Sequence, residues 1–196
     1  MRGERSVLNE AGPPSSGPDP FAVFGIERRF AVDRDALETR YRQLARQAHP
    51  DRFVRADART KRLAMQRAVE LNDAWRIIKD PVARAENLLL LRGVDVTREG
   101  GAVRVAGADA GDPIRVAHDL LLEMMEKNEA VAEAHEAGNS AVVESIAREA
   151  HGRVDALMAR VADDLDSGAP VESIAQNLMA VRYWRRLLED VEGQHG

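Results

Sequence analysis

The chain of 196 residues contains no cysteine, so disulfides and any cysteine-ligated zinc or iron–sulfur centre are excluded. Aromatic residues make up only 4% of the chain, whereas alanine, leucine, glutamate and arginine are abundant, and this balance favours helices over sheets. No apolar run is long enough to span a bilayer, and the N-terminal segment contains acidic residues but no apolar signal-peptide core. We therefore expect a soluble cytoplasmic protein that does not bind membranes.

The residue patterns of enzymes and metal sites are also absent. His118, His135, His151 and His195 are scattered, and no two of them have the i, i+4 spacing that places two metal ligands on one helix face. Gly100-Gly101 follows no predicted buried strand, so it does not indicate a phosphate-binding loop, and no nucleophile stands in a recognisable constellation. We expect no enzymatic activity, no cofactor and no metal site, and we assign the histidines to helix surfaces.

The net charge of −5 is unevenly distributed along the chain. Residues 21–92 contain 16 Lys and Arg against 10 Asp and Glu, whereas residues 113–196 contain 8 against 16. A basic half joined to an acidic half suggests two surfaces for different partners, although solvated helix faces of different composition would give the same split. A nucleic-acid-binding protein would use the basic half, but the acidic half and the few aromatic residues oppose that interpretation.

The first half of the chain has helical patterns after an irregular start. Residues 1–18 contain Pro, Gly and Ser without periodicity, which predicts a disordered tail. Asp33 is a typical N-cap, and Pro50 forces His49 out of the helical conformation, so one helix lies between these positions. Apolar spacing and boundary residues together predict helices near residues 21–24, 33–48, 60–79 and 81–92.

The second half is predicted to be a bundle of long helices. Residues 94–112 are rich in glycine and have a weak apolar pattern, which predicts a linker. Asp112-Pro113 is a typical helix start, because the acid can cap a helix and proline is favoured at its first position. Long helices with short connections pack as antiparallel neighbours, so we expect an all-α protein whose two halves are separate interaction modules. The predicted bundle covers residues 113–196, with helices at 113–136, 140–166 and 170–192.

The tripeptide His49-Pro50-Asp51 lies in the predicted loop between two helices. Arg42 and Arg46 precede His49 at i, i+4 and i+7, so two guanidinium groups line up behind the histidine. Such a stripe can meet an acidic surface and pair with carboxylates, and the proline lowers the ordering cost of docking. The alternative is that Pro50 only ends the helix while Asp51 caps the next turn.

The segments around this loop resemble a J domain. The resemblance covers residues 20–80 and depends on Phe21–Gly25, Tyr41–Phe53 and Leu71–Trp75. In J domains, this loop contacts the ATPase domain of a DnaK-type chaperone and accelerates its ATP hydrolysis. The resemblance therefore implies a J domain over residues 19–93, with an antiparallel helical hairpin and short flanking helices. It implies a chaperone-binding site at His49, Pro50, Asp51, Arg42 and Arg46.

Three further segments are similar to the HscB family of iron–sulfur cluster co-chaperones. Pro81–Gly93 resembles that family's short helix and turn, Asp119–Glu129 its signature on the first bundle helix, and Arg182–Leu187 a segment of its third bundle helix. The resemblance spans residues 20–192 and implies two partners, an HscA-type chaperone of the DnaK class and an IscU-like scaffold protein. The family's scaffold-binding positions correspond to Leu121, Leu122, Met125, Glu126, Glu129, Glu133 and Tyr183.

The residues of the first bundle helix independently suggest a binding face. The leucines and methionines between residues 120 and 125 spread over more than one helix face, so some should be exposed beside a ridge of glutamates. A wide core stripe with solvated glutamates is the alternative.

Two features depart from the family. The linker is longer and richer in glycine than expected, and the tail lacks the cysteine pairs of some eukaryotic members, which favours a bacterial protein over a mitochondrial one. The competing functional hypothesis is a J-domain adaptor that brings a different client to a DnaK-type chaperone.

Overall fold

The computed structural model describes residues 17–97, 102–103 and 113–193, and this part of the chain is almost entirely helical. The predicted all-α class is therefore confirmed. A 3-10 turn, Pro50–Phe53, follows the second helix. The other elements, in chain order, are α1 (Pro20–Phe24), α2 (Arg34–Ala48), α3 (Ala58–Lys79), α4 (Pro81–Leu91), β1 (Ala102–Val103), β2 (Ile114–Arg115), α5 (His118–Glu136), α6 (Ser140–Ser167) and α7 (Val171–Gly193).

Each of the first four helices begins after an aspartate that caps it. The carboxylates of Asp19, Asp33, Asp57 and Asp80 accept hydrogen bonds from backbone N–H groups of the first turn at 2.8–3.0 Å. These bonds satisfy donors that have no partner within the helix. The hydrogen bonds from Thr60 also lower the pKa of the Asp57 carboxyl. The local sequence therefore fixes where the helices of this half start.

The helices α2 and α3 form an antiparallel hairpin held by aromatic contacts. Tyr41 stacks on Trp75 with ring centroids 4.7 Å apart, and its hydroxyl donates a hydrogen bond to Asn72 Oδ1 at 3.0 Å. Phe24 of α1 contacts the same Trp75 ring at 6.0 Å between centroids. Leu71 of α3 is buried beneath this cluster. The hairpin therefore presents the loop between α2 and α3 at one end of a well-packed unit.

The helices α5, α6 and α7 form the expected antiparallel bundle. Gly138 and Gly168 end α5 and α6 with φ angles of 65° and 71°, a conformation that favours glycine. The turn between α6 and α7 is fixed by Asp164, whose carboxylate accepts hydrogen bonds from Ser173 and Asn177. The buried residues of the bundle core are Met124, Val131, Ala134, Val143, Ile146, Ala150, Trp184, Leu187, Leu188 and Val191.

The predicted helix start at Asp112-Pro113 is wrong. Residues 114–115 instead pair with 102–103 in a short antiparallel ladder, and Ile114 buries its side chain in the core. The ladder satisfies backbone groups that a helix would otherwise bond internally. The helix α5 begins only at His118, and its N-cap residue Ala117 makes no side-chain capping bond.

The two halves share one hydrophobic core. Val94 and Val96, which fall within the predicted linker, are 0% and 2% exposed. The expectation of separate modules is therefore wrong for the packing, because apolar side chains of both halves complete the same cluster. Its members include Phe21, Ile78, Leu89, Val94, Val96, Ile114, Val161, Leu165, Ile174 and Leu178.

The predicted domain boundaries stay a prediction. Most of the predicted tail, residues 1–16, lies outside the described residues, as do 98–101 and 104–112 of the predicted linker.

Candidate functional site

The loop after α2 is closed by its own histidine. His49 leaves the helical conformation with φ −62° and ψ 130°, and its Nδ1 accepts a hydrogen bond from the Asp51 backbone N–H at 3.3 Å. The Arg52 N–H donates to the His49 carbonyl at 3.1 Å, which completes the 3-10 turn. Because Nδ1 accepts, the neutral ring carries its proton on Nε2. The side chains of His49 and Asp51 are 59% and 86% exposed. The turn therefore presents a donor and a carboxylate together.

The two arginines predicted beside this loop lie on the exposed surface of α2. Arg42 forms an ion pair with Glu38 one turn earlier, and Arg46 Nε donates to the Arg42 carbonyl at 3.2 Å. Exposed i, i+4 pairs of this kind contribute about 0.3–0.5 kcal/mol. A partner carboxylate can therefore replace Glu38 at low cost, and both guanidinium groups remain available near the loop.

The apolar residues of α5 divide between the core and the surface, as the sequence analysis expected. Met124 is 5% exposed and belongs to the bundle core, whereas Leu122 and Met125 are 46% and 68% exposed. Leu121 is half-buried. The exposed methionine adjoins a glutamate ridge, which consists of the exposed residues Glu126, Glu129 and Glu133.

An open groove of about 460 Å³ lies between α5 and α7. It brings together three of the predicted scaffold-binding residues, Leu121, Met125 and Tyr183, although they come from distant parts of the chain. Leu122 and the glutamate ridge lie on α5 outside the groove lining. The complete lining is Leu121, Met124, Met125, Asn128, Tyr183, Arg186, Leu187 and Asp190.

Asn128, Arg186 and Asp190 also line the groove, and they were not predicted from the sequence. Arg186 and Asp190 follow Tyr183 at i+3 and i+7, so they share its side of α7. That spacing could have identified them once Tyr183 was chosen.

Ion pairs hold α5 against α6 behind the groove. Lys127 Nζ lies 2.6 Å from Glu149 Oε2, and Arg153 Nη2 lies 3.3 Å from Glu123 Oε1. The Arg153 guanidinium also lies 5.6 Å from the centroid of the buried Trp184 ring. These contacts connect α6 to both helices that line the groove.

A second ionic cluster joins α7 to the first half of the chain. Arg182 binds Glu86 at 3.2 Å and the Thr97 carbonyl at 3.4 Å, and Arg185 lies 3.6 Å from Asp80. Burial raises the pKa of the Glu86 carboxyl, while the hydrogen bond and charge of Arg182 oppose that effect. The sequence analysis gave Arg182 and Arg185 no role of their own.

Arg84 of α4 is a buried charged residue of the first half. It donates to the Ile78 carbonyl at 2.6 Å and lies 4.9 Å from the centre of the Phe30 ring. Burial lowers the pKa of its guanidinium group.

Comparison with known proteins identifies the family. The description of one matching family model is "HSCB C-terminal oligomerisation domain", and it covers residues 116–192. A co-chaperone protein HscB homolog from Burkholderia multivorans is 33% identical over 174 residues, which are 89% of this chain and 92% of that protein. The chain belongs to the HscB co-chaperone family. A homolog from Azoarcus sp. is 30% identical over the same shares of the two chains.

Solved HscB structures have the same fold. Human co-chaperone HscB superposes with a TM-score of 0.76 at 24% identity, covering all of this chain and 92% of the human one. Chaperone HscB from Vibrio cholerae gives a TM-score of 0.72 at 24% identity, with 91% and 98% of the two chains covered. The predicted arrangement of an N-terminal J domain and a C-terminal helical bundle is thereby confirmed.

The described residues contain neither a candidate metal cluster nor a candidate membrane-spanning helix. No cluster of three or more His, Asp or Glu side chains in this part of the chain could hold a metal ion. No helix within the described ranges is both long and apolar enough to cross a membrane.

Proposed function

We propose that this protein stimulates ATP hydrolysis by an HscA-type chaperone of the DnaK class and delivers an IscU-like iron–sulfur scaffold protein to it. The observation that carries the proposal is the presence of two exposed surfaces on one HscB-family chain. One is the preformed turn at His49-Pro50-Asp51, and the other is the apolar groove beside the glutamate ridge.

The chaperone surface is suited to an acidic partner. Arg42 and Arg46 supply cationic groups that can pair with carboxylates, and they lie on the helix that leads into the loop. His49 Nε2 is free to donate outward because Nδ1 is engaged within the turn. The turn is already closed by its own hydrogen bonds, so docking orders little additional chain. Both the arginines and the turn support binding to an acidic chaperone surface.

The scaffold surface combines apolar area with negative charge. Leu122 and Met125 expose large side chains next to the groove, and methionine adapts readily to a partner's shape. The glutamate ridge gives this area a negative flank, which favours a partner segment with apolar and basic residues. This composition supports scaffold binding by the acidic half and chaperone binding by the basic half.

The decisive experiment compares two histidine variants in a chaperone ATPase assay. His49→Gln should abolish stimulation of the HscA-type ATPase, while scaffold binding and the circular dichroism spectrum remain unchanged. His151→Gln is the matched control, because the side chains of His49 and His151 are both 59% exposed and His151 lies on α6. Full stimulation by His49→Gln would contradict the chaperone assignment. Failure of the wild-type protein to bind the scaffold would instead contradict the client assignment and favour a different client.

A further inference from the structure

Two charged side chains of the groove have no ionic partner within the part of the chain that the structure describes. Arg186 and Asp190 are exposed residues of α7 that line the groove, and no oppositely charged group of the described residues lies within 4.0 Å of either. Lys127–Glu149 and Arg153–Glu123 are ion pairs of the same bundle, and they join α5 to α6. The groove thus holds charges that its own bundle leaves available.

These two charges lie along the groove in a fixed order. Arg186 and Asp190 are four residues apart on one helix, which separates them by about 6 Å along the α7 axis. Glu123 contacts Arg153 and Lys127 contacts Glu149, so α5 and α6 are antiparallel. Ser173 contacts Asp164 across the short turn between α6 and α7, so these helices are antiparallel as well. The helices α5 and α7 therefore run in the same direction. Leu121 and Tyr183 therefore form one end of the groove, and Asn128 and Asp190 form the other.

The glutamate ridge extends this polarity beyond the groove. Glu129 and Glu133 follow Asn128 on α5, so they continue on the side where Asp190 stands. Among the described residues that line the groove, Arg186 alone is cationic, and it lies next to the apolar part formed by Met125 and Leu187. The groove consequently has a cationic middle and an acidic end above an apolar floor.

We propose that Arg186 and Asp190 determine the orientation of the scaffold segment that occupies this groove. The occupant is a segment of the scaffold protein with an apolar side chain, an acidic residue opposite Arg186 and a basic residue opposite Asp190. A segment in the reverse direction brings like charges together, which disfavours it. This inference rests on the proposed function and adds two specificity-determining residues to the site.

The test uses charge changes in the full-length protein and calorimetric titration with the cluster-free IscU-like scaffold. Arg186→Glu and Asp190→Lys should each weaken binding by about tenfold or more, as expected for truncated interface anchors. The double exchange Arg186→Asp with Asp190→Arg keeps the net charge unchanged and should also weaken binding by about tenfold. Arg160→Glu and Asp163→Lys, exposed on α6 outside the groove, are matched controls that should change affinity less than about threefold.

The outcomes separate this inference from the function on which it rests. If the single variants bind weakly but the double exchange binds like wild type, only the net charge of the groove matters and the orientation role is overturned. If the wild type binds and no variant differs from its control, the inference fails and the scaffold function stands. If the wild type does not bind at all, the scaffold function fails, and with it the inference.

Self-association needs its own measurement because a second copy could occupy the groove. Sedimentation of the wild type and of Arg186→Glu at the assay concentrations measures whether two copies associate through it. A wild-type dimer that Arg186→Glu dissociates would overturn the assignment to the scaffold. Melting curves verify the fold of each variant, and Arg186→Gln provides a neutral variant if the reversed charge lowers stability.

Discussion

The adjacent methionines of α5 allow stability and binding to be separated by the same chemical change. Both methionines line the groove, but Met124 is 5% exposed and belongs to the bundle core, whereas Met125 is 68% exposed. Replacing a buried methionine with alanine costs about 2–5 kcal/mol of unfolding free energy, because the remaining cavity is filled only in part. At this chain length, each kcal/mol lowers Tm by about 2–4 °C, so Met124→Ala should lower it by roughly 4–20 °C.

Met125→Ala should behave in the opposite way. A surface substitution changes the unfolding free energy by about 0.5 kcal/mol or less, so its Tm should stay within about 2 °C of wild type. Loss of an interface anchor should weaken scaffold binding by more than 1 kcal/mol, or roughly fivefold or more. Thermal melts and calorimetric titration of both variants provide the comparison. Equal loss of Tm in the two proteins would refute the division between core and contact face.

Two further predictions concern the junction and a turn. Burial raises the pKa of the Glu86 carboxyl, so the folded protein keeps this group protonated to a higher pH than the unfolded chain does. Glu86 therefore contributes progressively less stability as the pH rises above its ordinary pKa of 4.5. Glu86→Gln should therefore gain unfolding free energy relative to wild type as the pH rises above 4.5 in chemical denaturation, and a pH-independent difference would contradict this. Gly168→Ala should lower the free energy of unfolding by about 1–2 kcal/mol, because its φ is 71°. The added Cβ meets no atom within 4 Å, so no steric clash adds to this cost. Denaturation that matches wild type would show that this turn relaxes.

Local signals made most helix boundaries predictable. Asp33 and Asp80 cap helices with their own side chains, and Gly168 ends α6 in the left-handed conformation. The loop motif at His49 could be located for the same reason, since its neighbours in the chain define it. These features depend on residues within one or two helical turns.

The features that were not predicted all depend on contacts between residues that are far apart in the sequence. The strand at 114–115 forms because residues 102–103 pair with it, and Val94 is buried because helices of both halves surround it. Arg186 and Asp190 line a groove because α5 and α7 lie side by side, and the sequence does not reveal that neighbour. Periodicity identifies the buried face of a helix, but it does not reveal which neighbour covers that face.

The shared core limits how the J-domain half can be exchanged between proteins. Val161, Ile174 and Leu178 of the bundle pack in the same cluster as Phe21 and Leu89 of the first half. A bundle separated from its J domain would expose this apolar surface to water, and a J domain transplanted from another protein would have to match it side chain by side chain. Evolutionary change at the junction should therefore be compensatory, with substitutions on α4 accompanied by substitutions on α7. A chimeric protein assembled at residues 98–112 without such matching should aggregate.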